Sequence, residues 1–370
     1  MKNLAIVYGG DSCERDISII TAIQLMHNIN PSKYKFYAVM QTGGEFYWMK
    51  SWEGVDNYIS YKPNPKDRVF FQRDGLYKQT GRCRKLASID CVVLCNHGGD
   101  GENGTLQGYF CTLGLPITSP NVCASAIGMN KYLSKLIFRS LGCNVVDGVL
   151  YESGQNLQYS IQDLTFPLIV KPNCQGSSIG ISTAHDMGEL AEAVEIATQY
   201  DSKVVIEQAL TNFVEINVAL MRKGDQILVS SPEQPLNWQE FLSFEDKYIS
   251  TGKMNGGGRI YPAQVEPKLW ADIEYMAKKI YTALDMSGVV RMDFLTTQDG
   301  AYINEINTIP GSMAYYLFAE QGLDYEDIID SIVEQSVKDN VHRPTAQFLS
   351  NVLSSYHTYS NACKKATKIL

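Results

Sequence analysis

The chain lacks the simplest signatures of several protein classes. Its nine cysteines are an odd number, scattered with no CxxC pair, which suits reduced thiols better than a disulfide framework. No apolar run approaches membrane-spanning length, and the run in Met1–Tyr8 is too short for a signal peptide and reads as a first strand. No basic stripe is present, and a net charge of −8 argues against a nucleic-acid partner. No GxGxxG follows the first strand and no GxxxxGKS/T occurs anywhere, so neither a dinucleotide fingerprint at that strand nor a Walker phosphate loop is present. There is no internal repeat and no low-complexity segment. What remains is a soluble, cytoplasmic protein, whose 370 residues at 45% hydrophobic content are ample for two or three domains.

What is present is an alternation of β and α signals. Leu4–Tyr8 reads as a buried strand that breaks at Gly9-Gly10, with a helix starting near Ser12 or Asp16. A second such unit follows at Cys91–Cys95, with a glycine-rich loop from His97 to Gly104 and a helix from Thr105. The polar and aromatic residues 45–85 between them read as an insertion with its own hairpins. This first region predicts an open α/β sheet with ligand loops at the carboxyl ends of its strands. One helix is expected over Ala124–Leu141, carrying Lys131 and Lys135 on one face. Strands are expected at Phe166–Pro172, Ile179–Ile181 and Val204–Glu207, and helices at Glu189–Thr198 and Pro267–Met286, with two more between Asn307 and Asn340.

The most informative stretch is Val290–Asn307, two alternating apolar runs around Asp299-Gly300, which predicts a β-hairpin. If Thr297 pairs with Ala301, Asp293 falls opposite Glu305 and Arg291 opposite Asn307, and all four project from one face. Opposed carboxylates destabilise a ladder unless positive charge lies between them. An oxygen-only donor set suits a hard divalent cation such as Mg²⁺ bridging substrate phosphates. A solvated face on which Arg291 neutralises an acid stays open as the plain alternative.

Two loops add to this. Asn173-Cys174-Gln175-Gly176-Ser177-Ser178 joins two strands, so its N–H groups and hydroxyls can meet phosphate oxygens while Lys171 supplies a point charge. A hairpin turn beside a surface lysine is the bland reading of the same residues. Residues 231–262 are long, polar and glycine-containing, which suggests a lid that orders over substrate.

In chain order, GGDSCERDIS (9–18), HGGDGENGTLQG (97–108), Met129-Asn130-Lys131, KPNCQGSSIG (171–180), IEQAL (206–210), EDKY (245–248), RMDF (291–294) and NEINTIPGS (304–312) resemble the D-alanine–D-alanine ligase family of the ATP-grasp superfamily. The resemblance implies an α/β (α+β) ATP-grasp fold with an N-terminal open α/β domain. The expected division is 1–121 for that substrate domain and 122–206 for a central subdomain. Residues 207–345 would form the subdomain with metal site and lid, and 346–370 a C-terminal extension. It implies two Mg²⁺ or Mn²⁺ ions on Asp293, Glu305 and Asn307, and ATP held by Lys131, Lys171, Lys247, Gly176, Ser178, Glu207 and Glu215. Glu207 would lie by the adenine and Glu215 by the ribose. Glu14, Ser177 and Tyr248 would place the first amino acid, and Arg291 with the Gly311 N–H would face the oxyanion. His97, Ser312, Tyr316 and Leu317 would meet substrate. A homodimer is the implied assembly.

The chemistry suits these residue types. A carboxylate must be activated by the ATP γ-phosphoryl group before an amine can attack it, and phosphoryl transfer needs positioning and charge neutralisation. The tetrahedral intermediate needs donors aimed at its oxygen, and a lid keeps water from an acyl phosphate. Without the resemblance, Glu14 reads as an acid complementing a helix dipole, Tyr248 as a packing aromatic and His97 as a turn residue.

Three positions depart from the family pattern. Tyr316 stands where the family places a serine for the second carboxylate, Asn130 where an aspartate precedes the lysine, and Gln208 where a lysine often follows the adenine-side glutamate. Tyr248 favours an amino-acid acceptor over a hydroxy acid. The leading expectation is ligation of two D-alanines for peptidoglycan precursors. A ligase for D-serine or another acceptor, and an ATP-binding module without catalysis, remain the alternatives.

Overall fold

The computed structural model describes residues 1–79, 81–236, 258–341 and 354–358. The chain separates into two compact units, Met1–Asn340 and Val341–Leu370. Of the second unit, the described residues include a short helical stretch at 354–358.

The first sheet has seven strands in the order β6-β5-β4-β3-β2-β1-β7. They are β1 (Lys2–Gly9), β2 (Tyr34–Thr42), β3 (Glu45–Trp48), β4 (Arg68–Gln72), β5 (Gly75–Lys78), β6 (Arg84–Ala87) and β7 (Cys91–Leu94). β1 lies parallel to both β2 and β7, and its Leu4–Tyr8 run is wholly buried, as expected of a strand covered on both faces. Residues 45–85 are not a separate insertion: β3 to β6 continue this sheet as an antiparallel meander from β2. β2 itself, parallel to β1, was not anticipated from the sequence. Because Val7 pairs with Leu94, the loops leaving β1 and β7 emerge side by side at the carboxyl ends of their strands.

A second, antiparallel sheet runs β10-β9-β11-β8, from β8 (Gly148–Glu152), β9 (Leu168–Pro172), β10 (Ser182–Ala184) and β11 (Lys203–Gln208). The helix Met187–Thr198 backs it, started by Asp186, whose carboxylate accepts from the Gly188 and Glu189 N–H groups. A third antiparallel sheet runs β13-β12-β16-β17, from β12 (Val214–Lys223), β13 (Gln226–Val229), β16 (Val290–Thr297) and β17 (Gly300–Asn307). The helix Pro267–Ala283 buries Ile273, Ala277, Ile280 and Tyr281 in the core shared with this sheet. Between β13 and that helix, β14 (Gln234–Pro235) pairs with β15 (Arg259–Ile260).

Three local differences from expectation bear on the site. The single helix expected over 124–141 is two, Val122–Met129 and Lys131–Ser140. Asn130 takes an extended backbone between them, and its side chain accepts from the Leu133 N–H, a capping role that asparagine fills as well as aspartate. The break makes Lys131 the first helical residue and lets its N–H donate to the Asn173 carbonyl at 3.0 Å. Next, the strand expected at 179–181 starts only at Ser182, because Ser177 and Ser178 are left-handed, at φ 51° and 58°. Finally, the first of the two helices after Asn307 is a 3₁₀ segment, Gly311–Gln321, with Ser312, Met313 and Ala314 all left-handed.

Candidate active site

The β16–β17 hairpin opposes Asp293 to Glu305 and Arg291 to Asn307, as the sequence predicts. It does so by a different route. The turn is one residue tighter, with Thr297 opposite Gly300, and a bulge between Asp293 and Phe294 restores the register. On the other side Asn217 of β12 pairs with Asp293 and bridges to Glu233 through backbone bonds of 2.8 and 2.9 Å. A row Glu305–Asp293–Asn217–Glu233 therefore crosses the sheet.

Each carboxylate of this row has a cation. Arg291 clamps Asp293 with Nε to Oδ1 at 2.7 Å and Nη2 to Oδ2 at 2.9 Å, and Asn307 Nδ2 donates to the same carboxylate at 3.0 Å. Lys131 Nζ lies 3.4 Å from Glu305 Oε2 and donates to the Gln175 carbonyl at 2.5 Å. Arg291 thus neutralises the acid, but on a buried face: Asp293 is 3% exposed, so the solvated-hairpin alternative does not describe it. Among the described residues Asn217 Oδ1 is buried without a hydrogen-bond partner. Glu215, two residues before Asn217, is buried as well. Burial and the nearby Asp293 push its carboxyl well above the ordinary range.

Beside the row, Lys171 on β9 pairs with Glu207 Oε2 on β11 at 2.7 Å, and Lys135 pairs with Glu207 Oε1. Burial would raise the Glu207 carboxyl, but Lys135 and Lys171 override it and hold it at about 2. Burial lowers Lys135 to about 8 despite that partner. The sequence put Lys135 one turn beyond Lys131, yet nothing in it revealed the shared carboxylate. Gln208, the departure next to Glu207, faces elsewhere and ties down residues 165–167: its amide accepts from the Thr165 N–H at 3.0 Å and donates to the Thr165 and Pro167 carbonyls.

The third group comes from the paired loops of the first sheet. Ser177 Oγ donates to Glu14 Oε1, joining the glycine-serine loop to the loop after β1. Two glycines leave room for the Glu14 carboxylate here. A Cβ on Gly176 would stand 2.9 Å from Glu14 Oε2, and one on Gly98 would stand 2.5 Å from the same oxygen. Glu102, not singled out from the sequence, accepts from the Gly98 N–H at 2.7 Å and the Ile309 N–H at 3.0 Å. Burial and the neighbouring Glu14 push its carboxyl up. A cavity lined by Glu14, Glu102, Lys131, Gln175, Glu305 and Asn307 lies between these loops and the hairpin.

The residues expected to meet substrate are placed unevenly. His97 is 5% exposed, its Nε2 lies 3.1 Å from Thr21 Oγ1, and burial lowers it to about 4. Its ring lies inside the protein, against Thr21. Ser312 N–H donates to Thr21 Oγ1 at 3.0 Å and its hydroxyl to Gln24 Oε1 at 2.5 Å. Leu317 is fully buried, and its carbonyl accepts from Tyr261 Oη at 2.9 Å and from the Ser231 N–H. The left-handed backbone at 312–314 also removes the regular helix start expected near Tyr316. Tyr316 donates to Glu233 Oε2 at 3.1 Å, Arg259 Nη1 donates to Glu233 Oε1 at 3.1 Å, and the Arg259 guanidinium sits 4.3 Å from the Tyr316 ring centre. Glu233 and Arg259 were missed in the sequence because a polar stretch without periodicity carries no signal for such a cluster, and Asn217 because it is a single polar residue inside the apolar strand β12. Lys247, Tyr248 and most of the expected lid lie outside the described residues.

Comparison with known proteins decides the family. Residues 3–120 match the model described as D-ala D-ala ligase N-terminus, and residues 137–334 match D-ala D-ala ligase C-terminus. The chain belongs to the D-alanine–D-alanine ligase family. A family member named D-alanine–D-alanine ligase, from Thermosipho melanesiensis, is 33% identical over 368 residues, covering 95% of this chain and 98% of its own. The crystal structure of the D-alanine–D-alanine ligase of Helicobacter pylori superposes with TM-score 0.74 at 27% identity, covering 90% of this chain and 98% of that one. The VanG D-Ala:D-Ser ligase of Enterococcus faecalis superposes with TM-score 0.78 at 27% identity, covering 90% and 99%. The fold of this D-alanine–D-alanine ligase family member is ATP-grasp, and the chain is an ATP-dependent carboxylate–amine ligase. Among the described residues no helix is long and apolar enough to cross a membrane.

Proposed function

We propose that this ligase joins two D-alanine molecules into D-alanyl-D-alanine for peptidoglycan precursors, cleaving ATP to ADP and phosphate. The observation that carries the reading is the cavity between Glu14 and Glu305. There a lysine, the Gln175–Ser177 loop and the carboxylate row converge from three separate elements. The donor carboxylate attacks the γ-phosphorus and ADP leaves, giving an acyl phosphate. The acceptor amine then attacks the acyl carbon, loses a proton, and phosphate departs with the C–O bonding electrons.

Each residue has a part in this sequence. Lys131, Lys171 and Lys247 neutralise phosphate charge, with Gly176, Ser177 and Ser178 covering the phosphates. An incoming phosphate competes with Glu305 for Lys131 and with Glu207 for Lys171. Glu207 lies on the adenine side and Glu215 on the ribose side. Glu14, held by Ser177 and completed by Tyr248, takes the ammonium of the donor. Arg291 and the Gly311 N–H meet the oxyanion. Ser312, Tyr316 and the Leu317 backbone border the acceptor.

Asp293, Glu305 and Asn307 form an oxygen-donor set that fits Mg²⁺ or Mn²⁺, which is held by one or two carboxylates together with substrate phosphates. The orphaned Asn217 Oδ1 beside Asp293 agrees with a cation there. When bound, two such ions would offset the charge of the β- and γ-phosphates. The same reading includes the division at 121, 206 and 345, a homodimer and a cytoplasmic location.

The test is phosphate release from ATP with D- and L-amino acids, singly and in pairs. D-alanine alone should support turnover, and Asp293→Asn or Glu305→Gln should abolish it while the fold survives. Absence of D-alanine-dependent phosphate release, or near-normal activity of either variant at low Mg²⁺, overturns the reading.

A further inference from the structure

The segment Pro310–Ala314 is an unusual piece of backbone. Ser312, Met313 and Ala314 are left-handed at φ 52°, 51° and 45°. Non-glycine residues avoid this region at a cost of about 1–2 kcal/mol each. Such a run persists only where its surroundings hold it.

The holding groups come from the first sheet's loops and helix. Glu102 accepts from the Ile309 N–H at 3.0 Å. The Ile309 backbone faces the His97 ring and opposes the lowering of its pKa by burial. Thr21 lies on the helix Arg15–His27 and is 1% exposed, and its Oγ1 both accepts from the Ser312 N–H at 3.0 Å and lies 3.1 Å from His97 Nε2. With one lone pair of its oxygen taken by the Ser312 N–H, the Thr21 hydroxyl keeps its hydrogen free to donate to His97 Nε2. In that arrangement the ring's own hydrogen sits on Nδ1.

We infer that Thr21 and His97 act together as a positioning pair that fixes the 309–312 backbone and so aims the Gly311 N–H at the oxyanion that forms on the reacting acyl group. Thr21 links three elements: its own helix, the glycine-rich loop after β7 and the strained turn after β17. The aim of the Gly311 N–H rests on the ligase reading above, whereas the Thr21–His97–Ser312 geometry does not.

Two measurements test this separately. Long-range ¹⁵N–¹H NMR of the intact wild-type protein should show His97 as the Nδ1–H tautomer, and Thr21→Val should raise the Nε2–H population. In steady-state kinetics Thr21→Val should lower kcat about 100-fold, as expected of a misaimed catalytic donor, with the KM for ATP within about twofold. Thr21→Ser, which keeps the hydroxyl, should restore most of kcat. A wild-type Nε2–H tautomer overturns the pair even if Thr21→Val fails to fold. A folded Thr21→Val with kcat within about threefold of wild type, or a Thr21→Ser no better than Thr21→Val, overturns it also. Absence of D-alanine ligation by the wild type would instead remove the ligase reading and leave the tautomer result standing.

Discussion

Glu207 is the residue whose removal should cost the fold most for one atom exchanged. It is 3% exposed on the central part of the second sheet, and both carboxylate oxygens are engaged, one by Lys135 and one by Lys171 at 2.7 Å. The two lysine side chains are themselves only 6% and 8% exposed. Glu207→Gln leaves two buried ammonium groups facing a neutral amide. Breaking a buried ion pair by removing one partner costs about 3–5 kcal/mol. The depressed carboxyl leads to a similar figure: holding it at about 2 instead of 4.5 corresponds to about 3 kcal/mol. Being depressed in the folded state, this carboxyl contributes stability that is present above its ordinary range and is lost as pH falls toward 2. Lys135 has the same pH slope in a higher window, although its burial is a cost at neutral pH. Lowered from 10.5 to about 8, it makes the folded state more stable as pH rises between those values. Urea unfolding of wild type and Glu207→Gln, followed by circular dichroism near neutral pH and again near pH 3, reads both effects. The expected loss is about 3 kcal/mol near neutrality, shrinking on acidification. Adding Lys135→Met should recover part of it, because one stranded ammonium is removed. A Glu207→Gln protein within about 1 kcal/mol of wild type would refute the reasoning, since a buried triad cannot lose its centre so cheaply.

Three further outcomes are expected. Gly176→Ala should displace the Glu14 carboxylate and its Ser177 bond, raising the KM of the donor amino acid about tenfold, the worth of one charged hydrogen bond; an unchanged donor KM counts against the Glu14 assignment. Tyr316→Ser should lower the acceptor KM for D-alanine about tenfold with the donor KM unchanged, and a rise or a loss of all turnover would show that the Tyr316–Glu233–Arg259 cluster builds the pocket instead of obstructing it. His97 is held neutral by burial at about 4 against 6.5 when exposed, so its contribution is present above 6.5 and is lost as pH falls to about 4, amounting to about 3 kcal/mol. Glu102 and Glu215, pushed up by burial, act with the opposite sign, so the quantity to measure is the difference in acid stability between wild type and His97→Gln.

How much was legible in the sequence depends on the range of the interactions involved. Patterns confined to one element were readable. The alternation of Val290–Asn307 announced a hairpin, and period-two geometry set Asp293 against Glu305. The apolar Leu4–Tyr8 run announced a strand covered on both faces. The glycines of 97–104 and 173–180 marked loops whose backbone approaches other groups closely. Local competition was harder to see. Asn130 breaks a helix that periodicity joins, because its side chain bonds the backbone of the next turn. The bulge after Asp293 and the tighter turn are two errors of register that cancel.

By itself, then, the amino-acid sequence determined most of the strands and helices, β2 and the break at Asn130 excepted, and the chemistry at each loop. It also determined the family, because all of these reside in residue types at short spacing. Only the tertiary structure decided which loops meet. The parallel pairing of β1 with β7 places Glu14 beside Glu102, and the loop after β9 brings Ser177 to the same carboxylate. The docking of the helix Lys131–Ser140 against the second sheet gives Lys135 and Lys171 one carboxylate to share. The seating of the helix Arg15–His27 against the turn after β17 brings Thr21 between His97 and Ser312, 76 and 291 residues away. Such contacts depend on how separate elements pack, and a buried charge or strained turn is tolerated only after that packing has supplied its partner.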